Sequence, residues 1–318
     1  MTILSCRSFA KVNLTLDILA RRADGYHELQ SIVHTVGLAD TLRFEFGAGT
    51  GVSLLCNDVQ LRGDDNLCLR AARAWQEAAR GVELGEVRIT LEKQIPAGAG
   101  LGGGSGNAAA TLRALNRHFG DCLAEAELSA VAATLGADVP FFLRGGCALM
   151  EGVGEKLTPL PQLSGWLVLA QPAQGLSTPA VYRRYDEIRP ASQRATPVML
   201  KALRAGDLEA VARTLGNDLT AAAQSLGVDV AALAEALRCA GAPGAVMTGS
   251  GSCVFGLFAT EASARAALAV LAELRARGDH QRFHRLFAVP LVGTGSTFSA
   301  ADDFISAAKG GKPEAEYL

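Results

Sequence analysis

The sequence predicts an α+β protein of two domains, on three observations. The chain has 318 residues, more than one ordinary domain uses. Its first half mixes segments that alternate apolar and polar residues with amphipathic helical runs, the pattern of an antiparallel sheet covered by helices. Its second half runs strand, helices, two strands, helix, strand, the order of a split β-α-β ferredoxin-like unit with extra helices.

The elements follow in order. Ala10, Val12, Leu14, Leu16 and Ile18 alternate with Lys11, Asn13, Thr15 and Asp17, a strand with one apolar and one polar face on which Lys11 and Asn13 point the same way. A turn at Asp24-Gly25 leads to strands at 31–36, 41–46 and 52–55. A helix spans 66–80 and stops at Gly81. Val87, Ile89 and Leu91 alternate with polar neighbours as a further strand, and a helix over 125–135 stops at Gly136. The second half opens with a strand at 166–171, then helices between Pro179 and Cys239. A hairpin over 247–258, a helix over 261–277 and a strand over 286–292 complete it. The expected division is 1–155, 156–299 and a disordered tail, 300–318.

Between Pro96 and Asn107 the chain reads P-A-G-A-G-L-G-G-G-S-G-N, with six glycines. Glycine reaches positive φ and lets main-chain N–H groups approach a ligand closely. Ala108, Leu112, Leu115 and Phe119 share one helical face after the glycines, so a helix begins inside the cluster and its open N–H groups make an anion site. Gly98, Gly100 and Gly103 satisfy G-x-G-x-x-G, but the preceding strand alternates instead of being apolar on both faces, against a dinucleotide fold. No Lys-Ser or Lys-Thr pair follows, against a Walker loop.

Net charge is −2 and no basic run occurs, which disfavours nucleic-acid partners. The seven cysteines are scattered without C-x-x-C spacing, as for reduced thiols in a cytoplasm. No apolar run suits a membrane span and no signal-peptide layout opens the chain. His280 and His284, though four apart, lie among arginines and read as a solvated basic face, not a metal pair.

Four segments, S-F-A-K-V-N-L-T-L, R-A-D-G-Y-H-E-L-Q-S, P-A-G-A-G-L-G-G-G-S-G-N-A-A and G-A-D-V-P-F-F-L, joined by M-T-G-S-G-S-C-V-F, together resemble the GHMP small-molecule kinases. The resemblance reaches to about residue 293. It implies an N-terminal ribosomal protein S5 domain 2-like domain that binds ATP and carries catalysis, and a C-terminal ferredoxin-like domain on the substrate side. The implied activity is transfer of the ATP γ-phosphoryl group to an alcohol, with Mg2+ on the phosphates.

Carried over residue by residue, the resemblance makes Asp138 the base and Lys11 the cation beside it, stabilising charge on the transferred group. Pro96, Gly98, Gly100, Leu101, Gly102, Gly103, Gly104, Ser105, Gly106 and Asn107 hold the ATP phosphates, with Ser105 the candidate metal contact. Asn13, Tyr26, His27, Thr178 and Tyr182 hold a small-molecule substrate with a cytidine diphosphate end, the two tyrosines stacking on the base. Gly249, Ser250, Gly251 and Ser252 support the phosphate loop. Two departures matter: Gly106 replaces a common serine, and Asn107 stands where many members have Asp, which weakens a metal role at both.

Each residue has an ordinary reading as well. Asp138 suits a helix N-cap before Pro140, Lys11 a solvated strand face, Tyr26 and His27 a hairpin turn, Thr178 an N-cap, Tyr182 helix packing and the second glycine segment a plain turn. Homoserine or mevalonate kinase chemistry, or a non-catalytic nucleotide-binding module, remain the alternatives.

Overall fold

The computed structural model describes residues 2–300; the expected tail lies, from residue 301 on, outside the described residues. Two long antiparallel strands form the spine, β1 (Thr2–Arg21) and β2 (His27–Gly47). The turn between them uses Gly25 at φ +88°, a left-handed conformation that side chains disfavour. The expected segments at 31–36 and 41–46 are one strand. It is kinked where Phe9 faces Ala39 but Ala10 faces Val36, a bulge that re-aims side chains without ending the ladder. Gly37 sits in this bulge, and a Cβ there would lie 2.7 Å from the Pro290 ring.

Then come β3 (Gly51–Cys56), α1 (Leu67–Ala78), β4 (Glu86–Glu92), α2 (Gly103–His118), α3 (Glu125–Leu135) and α4 (Val139–Arg144). Asn66 caps α1 through the Cys68 N–H. β5 (Cys147–Gly152) and β6 (Lys156–Pro159) extend the sheet from β2, although the sequence shows no strand there. The four helices pack over β1, β2 and β4 around Trp75, Phe44, Phe141 and Leu112.

The second half contributes β7 (Trp166–Gln171), α5 (Thr178–Ile188), α6 (Ala195–Ala205), α7 (Leu208–Arg213), β8 (Gly216–Asn217), α8 (Thr220–Ser225), α9 (Val230–Cys239), β9 (Ala245–Met247), β10 (Val254–Phe258), α10 (Glu261–Ala276), β11 (Arg285–Pro290) and β12 (Ser296–Ala300). The second sheet runs β11-β7-β10-β9. In chain order that is fourth, first, third, second, the antiparallel order of a ferredoxin-like unit. β7 is apolar on both faces because both are covered: Val168 and Ala170 pack among residues of α9 and α10, while Leu167 and Leu169 meet Val12 and Leu14 of β1. The two sheets are thus joined by an apolar layer.

Two strands cross back to the first sheet. β8 pairs in parallel with β1 at Thr15 and Leu16, and β12 pairs with Leu4 to Ser8. Neither is legible in the sequence, since two to five residues give too short a period to read. Asp17 and Asp218 fasten the end of β1 to the start of α6 and to the segment beside β8: Asp17 accepts from the Ala195 and Thr196 N–H groups, and Asp218 from those of Ile18 and Gln193.

His34 of β2 is fully buried, its Nδ1 donating to the Thr35 carbonyl and its Nε2 accepting from the Leu163 N–H. Burial pushes its pKa down to about 4. In the unfolded chain the ring titrates near 6.5. Below that value the unfolded state therefore binds a proton that the folded state refuses, and stability falls as pH drops. We expect a loss on the order of 3 kcal/mol between pH 6.5 and 4 from this group. Urea titrations of wild type and His34→Gln across that window check it; equal pH slopes would refute the assignment.

Candidate active site

The glycine segment crosses from β4 to α2 with Gly98, Gly100 and Gly102 at φ +65°, +76° and +69°. Close approach explains two of them. A Cβ on Gly100 would lie 2.2 Å from the Thr248 carbonyl oxygen, and one on Gly102 would lie 2.8 Å from the Phe142 ring and 3.1 Å from Lys11 Cγ. The loop is pinned to both halves of the molecule: Leu101 O accepts from the Lys11 N–H at 3.0 Å and Ala99 O from the Cys253 N–H at 3.3 Å. No side chain caps the start of α2. Gly103, Gly104 and Ser105, its first turn, line a cleft of about 910 Å³, and open N–H groups at a helix N-terminus attract anions.

Lys11 and Asp138 meet in the same cleft. Lys11 Nζ lies 3.5 Å from Asp138 Oδ2, with 6% of the lysine side chain exposed and 34% of the aspartate. The lysine also donates to Asn13 Oδ1 at 2.6 Å. Asn13 in turn donates to Ser31 Oγ and takes the Thr248 hydroxyl at 3.3 Å. The polar face of β1 is therefore buried and networked, not solvated. Asp138 occupies the N-cap position of α4, yet its side chain makes no capping hydrogen bond. Its carboxylate is left to Lys11 and the cleft.

Farther along the cleft stand Tyr26, 66% exposed on the β1–β2 turn, and His27, which is buried. The His27 and Tyr182 rings lie 5.0 Å apart and tilted, Tyr182 coming from α5. Burial first and the Asp138 charge second push the Tyr182 phenol above its ordinary pKa, so its hydroxyl is a neutral donor near the carboxylate. Thr178 is the first residue of α5, with Ser177 at the cap position, and its hydroxyl bonds Ser250 Oγ at 2.7 Å. Pro96, Gly249 and Asn107 also line the cleft; Gly106, Gly251 and Ser252 do not. A Cβ at Gly106 would crowd Ser8 Oγ at 2.9 Å, which explains a glycine at this buried turn of α2.

Sequence reasoning missed Lys93, which lines the cleft near the first turn of α2 and is paired with the buried Asp40. Asp40 also accepts from the Gln94 and Ile95 N–H groups. It missed Asn66 and Leu67 beside them, and Arg21 and Asp186 at the far end. A lysine immediately before the glycine segment was the one available signal. His280 and His284 lie in the turn after α10, and no cluster of three or more His, Cys, Asp or Glu suits a metal among the described residues.

An uncapped helix start, a lysine–aspartate ion pair and a second glycine turn thus stand around one cleft on a two-domain fold, the parts that phosphoryl transfer asks of a protein. Residues 66–146 match the family profile described as GHMP kinases N terminal domain, and residues 199–277 that of GHMP kinases C terminal. The chain belongs to the GHMP kinase family. It is therefore an ATP-dependent kinase of small molecules. It is similar to the 4-diphosphocytidyl-2-C-methyl-D-erythritol kinase of Moorella thermoacetica, 43% identical over 83% of this chain and 93% of that one. The corresponding protein of Pelotomaculum thermopropionicum is 42% identical over 83% and 92%. Among solved structures, a 4-(cytidine 5'-diphospho)-2C-methyl-D-erythritol kinase superposes with TM-score 0.76 at 38% identity, over 91% of this chain and 99% of that one. A homoserine kinase from Cytophaga hutchinsonii reaches 0.73 at 17% identity, over 94% and 98%, a likeness of fold. No helix among the described residues is long and apolar enough to cross a membrane.

Gly100→Ala adds a methyl group against main chain that has no flexible end to yield. We expect the Michaelis constant for ATP to rise about tenfold or more, a cost of at least ~1.4 kcal/mol. A steady-state ATP titration checks it, and a value within twofold of wild type would show that the loop geometry is not tied to the nucleotide.

Proposed function

We propose that this chain transfers the γ-phosphoryl group of ATP to the 2-hydroxyl of 4-diphosphocytidyl-2-C-methyl-D-erythritol, a step toward isoprenoid precursors. The observation that carries the reading is the contact between Lys11 and Asp138 beside the glycine loop, with two tyrosines and a histidine farther along the same cleft. Phosphoryl transfer asks the protein mainly for positioning and charge balance. The first-turn N–H groups of α2 hold phosphate. Asp138 takes the hydroxyl proton as the oxygen attacks phosphorus in line, and Lys11 balances negative charge on the group in flight. Tyr26 and Tyr182 hold the cytosine ring, and Asn13 and Thr178 place the remainder. Homoserine and mevalonate have no base to stack on these rings.

Magnesium fits the donor set. Ser105 stands on the first turn of α2, Asp138 is the carboxylate next to Lys11, and Asn107 lines the cleft with a buried side-chain oxygen that has no protein partner. With so few protein donors, an ion held chiefly by phosphate oxygens is the one these residues accommodate. When bound it neutralises phosphate charge. The loop, Lys11 and Asp138 come from residues 1–155, and the substrate residues come from both parts, Asn13, Tyr26 and His27 from 1–155 and Thr178 and Tyr182 from 156–299.

A coupled ADP-release assay with the cytidyl substrate, homoserine and mevalonate tests the reading; turnover confined to the cytidyl substrate is expected, and turnover of either other alcohol at a comparable rate would contradict it. Asp138→Ala should fold normally and lose a factor on the order of 10² or more in turnover. Lys11→Met should lower turnover more than it weakens ATP binding. Tyr26→Leu should raise the Michaelis constant for the cytidyl substrate and spare that for ATP. A folded Asp138→Ala enzyme with near-normal turnover removes that residue from the chemistry.

A further inference from the structure

His27 carries two ring nitrogens with different surroundings. Its Nε2 lies 2.7 Å from Asp186 Oδ1, while Nδ1 has no protein partner among the described residues and the ring lines the cleft. A carboxylate only accepts hydrogen bonds, and a neutral imidazole carries one donor and one acceptor. The geometry points to Asp186 as a positioning residue that fixes the proton of His27 on Nε2 and so leaves Nδ1 as an acceptor facing the substrate base, selecting cytosine over uracil. This rests on the cytidyl reading above.

Three features hold the arrangement. Arg21 and His27 are directly opposed across β1 and β2, and both reach the same carboxylate, Arg21 Nε lying 3.4 Å from Oδ2. The charge of Asp186 is thereby balanced from the protein side. Asp186 follows Tyr182 by four positions on α5, which places both on one helix face, so a single helix supplies the ring beside His27 and the group that orients it. The edge of Tyr185 closes the third side at 6.1 Å between centroids. His27 cannot turn over without losing these contacts.

The consequence is chemical. Cytosine presents an exocyclic amino donor where uracil presents a carbonyl acceptor. An acceptor Nδ1 pairs with the first and repels the second, and a histidine free to move its proton tolerates both. Nothing in the sequence marks this role, since Asp186 stands in an ordinary amphipathic helix.

The test compares wild type with Asp186→Leu, using the cytidyl substrate and its counterpart in which uracil replaces cytosine, and reads the ratio of the two kcat/KM values. We expect the ratio to fall on the order of tenfold in the variant. A wild type that discriminates and a variant that discriminates equally would overturn the role of Asp186 while leaving the cytidyl reading in place. A wild type without preference would remove both. Nitrogen-15 NMR of the wild-type imidazole gives a readout independent of variant folding: an Nε2–H tautomer is expected, and either an Nδ1–H tautomer or an imidazolium would overturn the proposal.

Discussion

A lysine side chain with little access to water must be given its counter-charge and acceptors by the protein, and Lys11 is placed under that constraint in the middle of the longest strand pair. Its ammonium meets Asp138 from the start of α4 and Asn13 from its own strand. Removing the Asp138 charge leaves the ammonium in a poorly solvated place, whereas the carboxylate, a third exposed, keeps its access to the cleft. Lys11 also donates its main-chain N–H to Leu101 of the glycine loop. One position therefore sets the distance between an acid side chain and the start of α2, and the rest of the cleft is arranged around it.

The cleft belongs to both halves of the chain. Asn13 holds the Thr248 hydroxyl, Gly100 allows main chain to close on the 248–251 turn, and Asn217 donates to the carbonyls of Met247 and Gly249. Behind these contacts, Leu167, Leu169 and Phe255 of the second sheet pack on Val12 and Leu14 of the first. A continuous apolar layer resists sliding of one sheet over the other, so the second glycine turn stays seated against the first. This frame is shared, as a likeness of fold, with a homoserine kinase at 17% identity.

Much of this was legible in the sequence. The alternation through Leu14 marked the first strand, and the glycines before an alanine-rich helix marked the loop and the helix start that line the cleft, because both signals are local. Lys11 and Asp138 were identified as a pair through resemblance to a family, not through spacing, since no local rule joins strand and loop residues so far apart. Lys93 with Asp40, and Asp186 with His27, went unread for the same reason: each is ordinary in its own segment and acquires a role only when two strands or a strand and a helix meet. β5, β6 and β12 were missed because they are short and derive their pairing from neighbours, β5 from β2, β6 from β5 and β12 from β1, not from their own composition. The reading of Asp138 as a helix cap holds for its position but not for its side chain, which makes no capping hydrogen bond and pairs with Lys11, a contact that a sequence does not show.

The most direct measurement is a structure with a non-hydrolysable ATP analogue and the cytidyl substrate bound together. The acceptor hydroxyl should lie within about 3.2 Å of an Asp138 carboxylate oxygen and within about 3.5 Å of the terminal phosphorus, with Lys11 beside the phosphate oxygens. An acceptor hydroxyl held by other groups, with Asp138 facing only Lys11, would contradict the account.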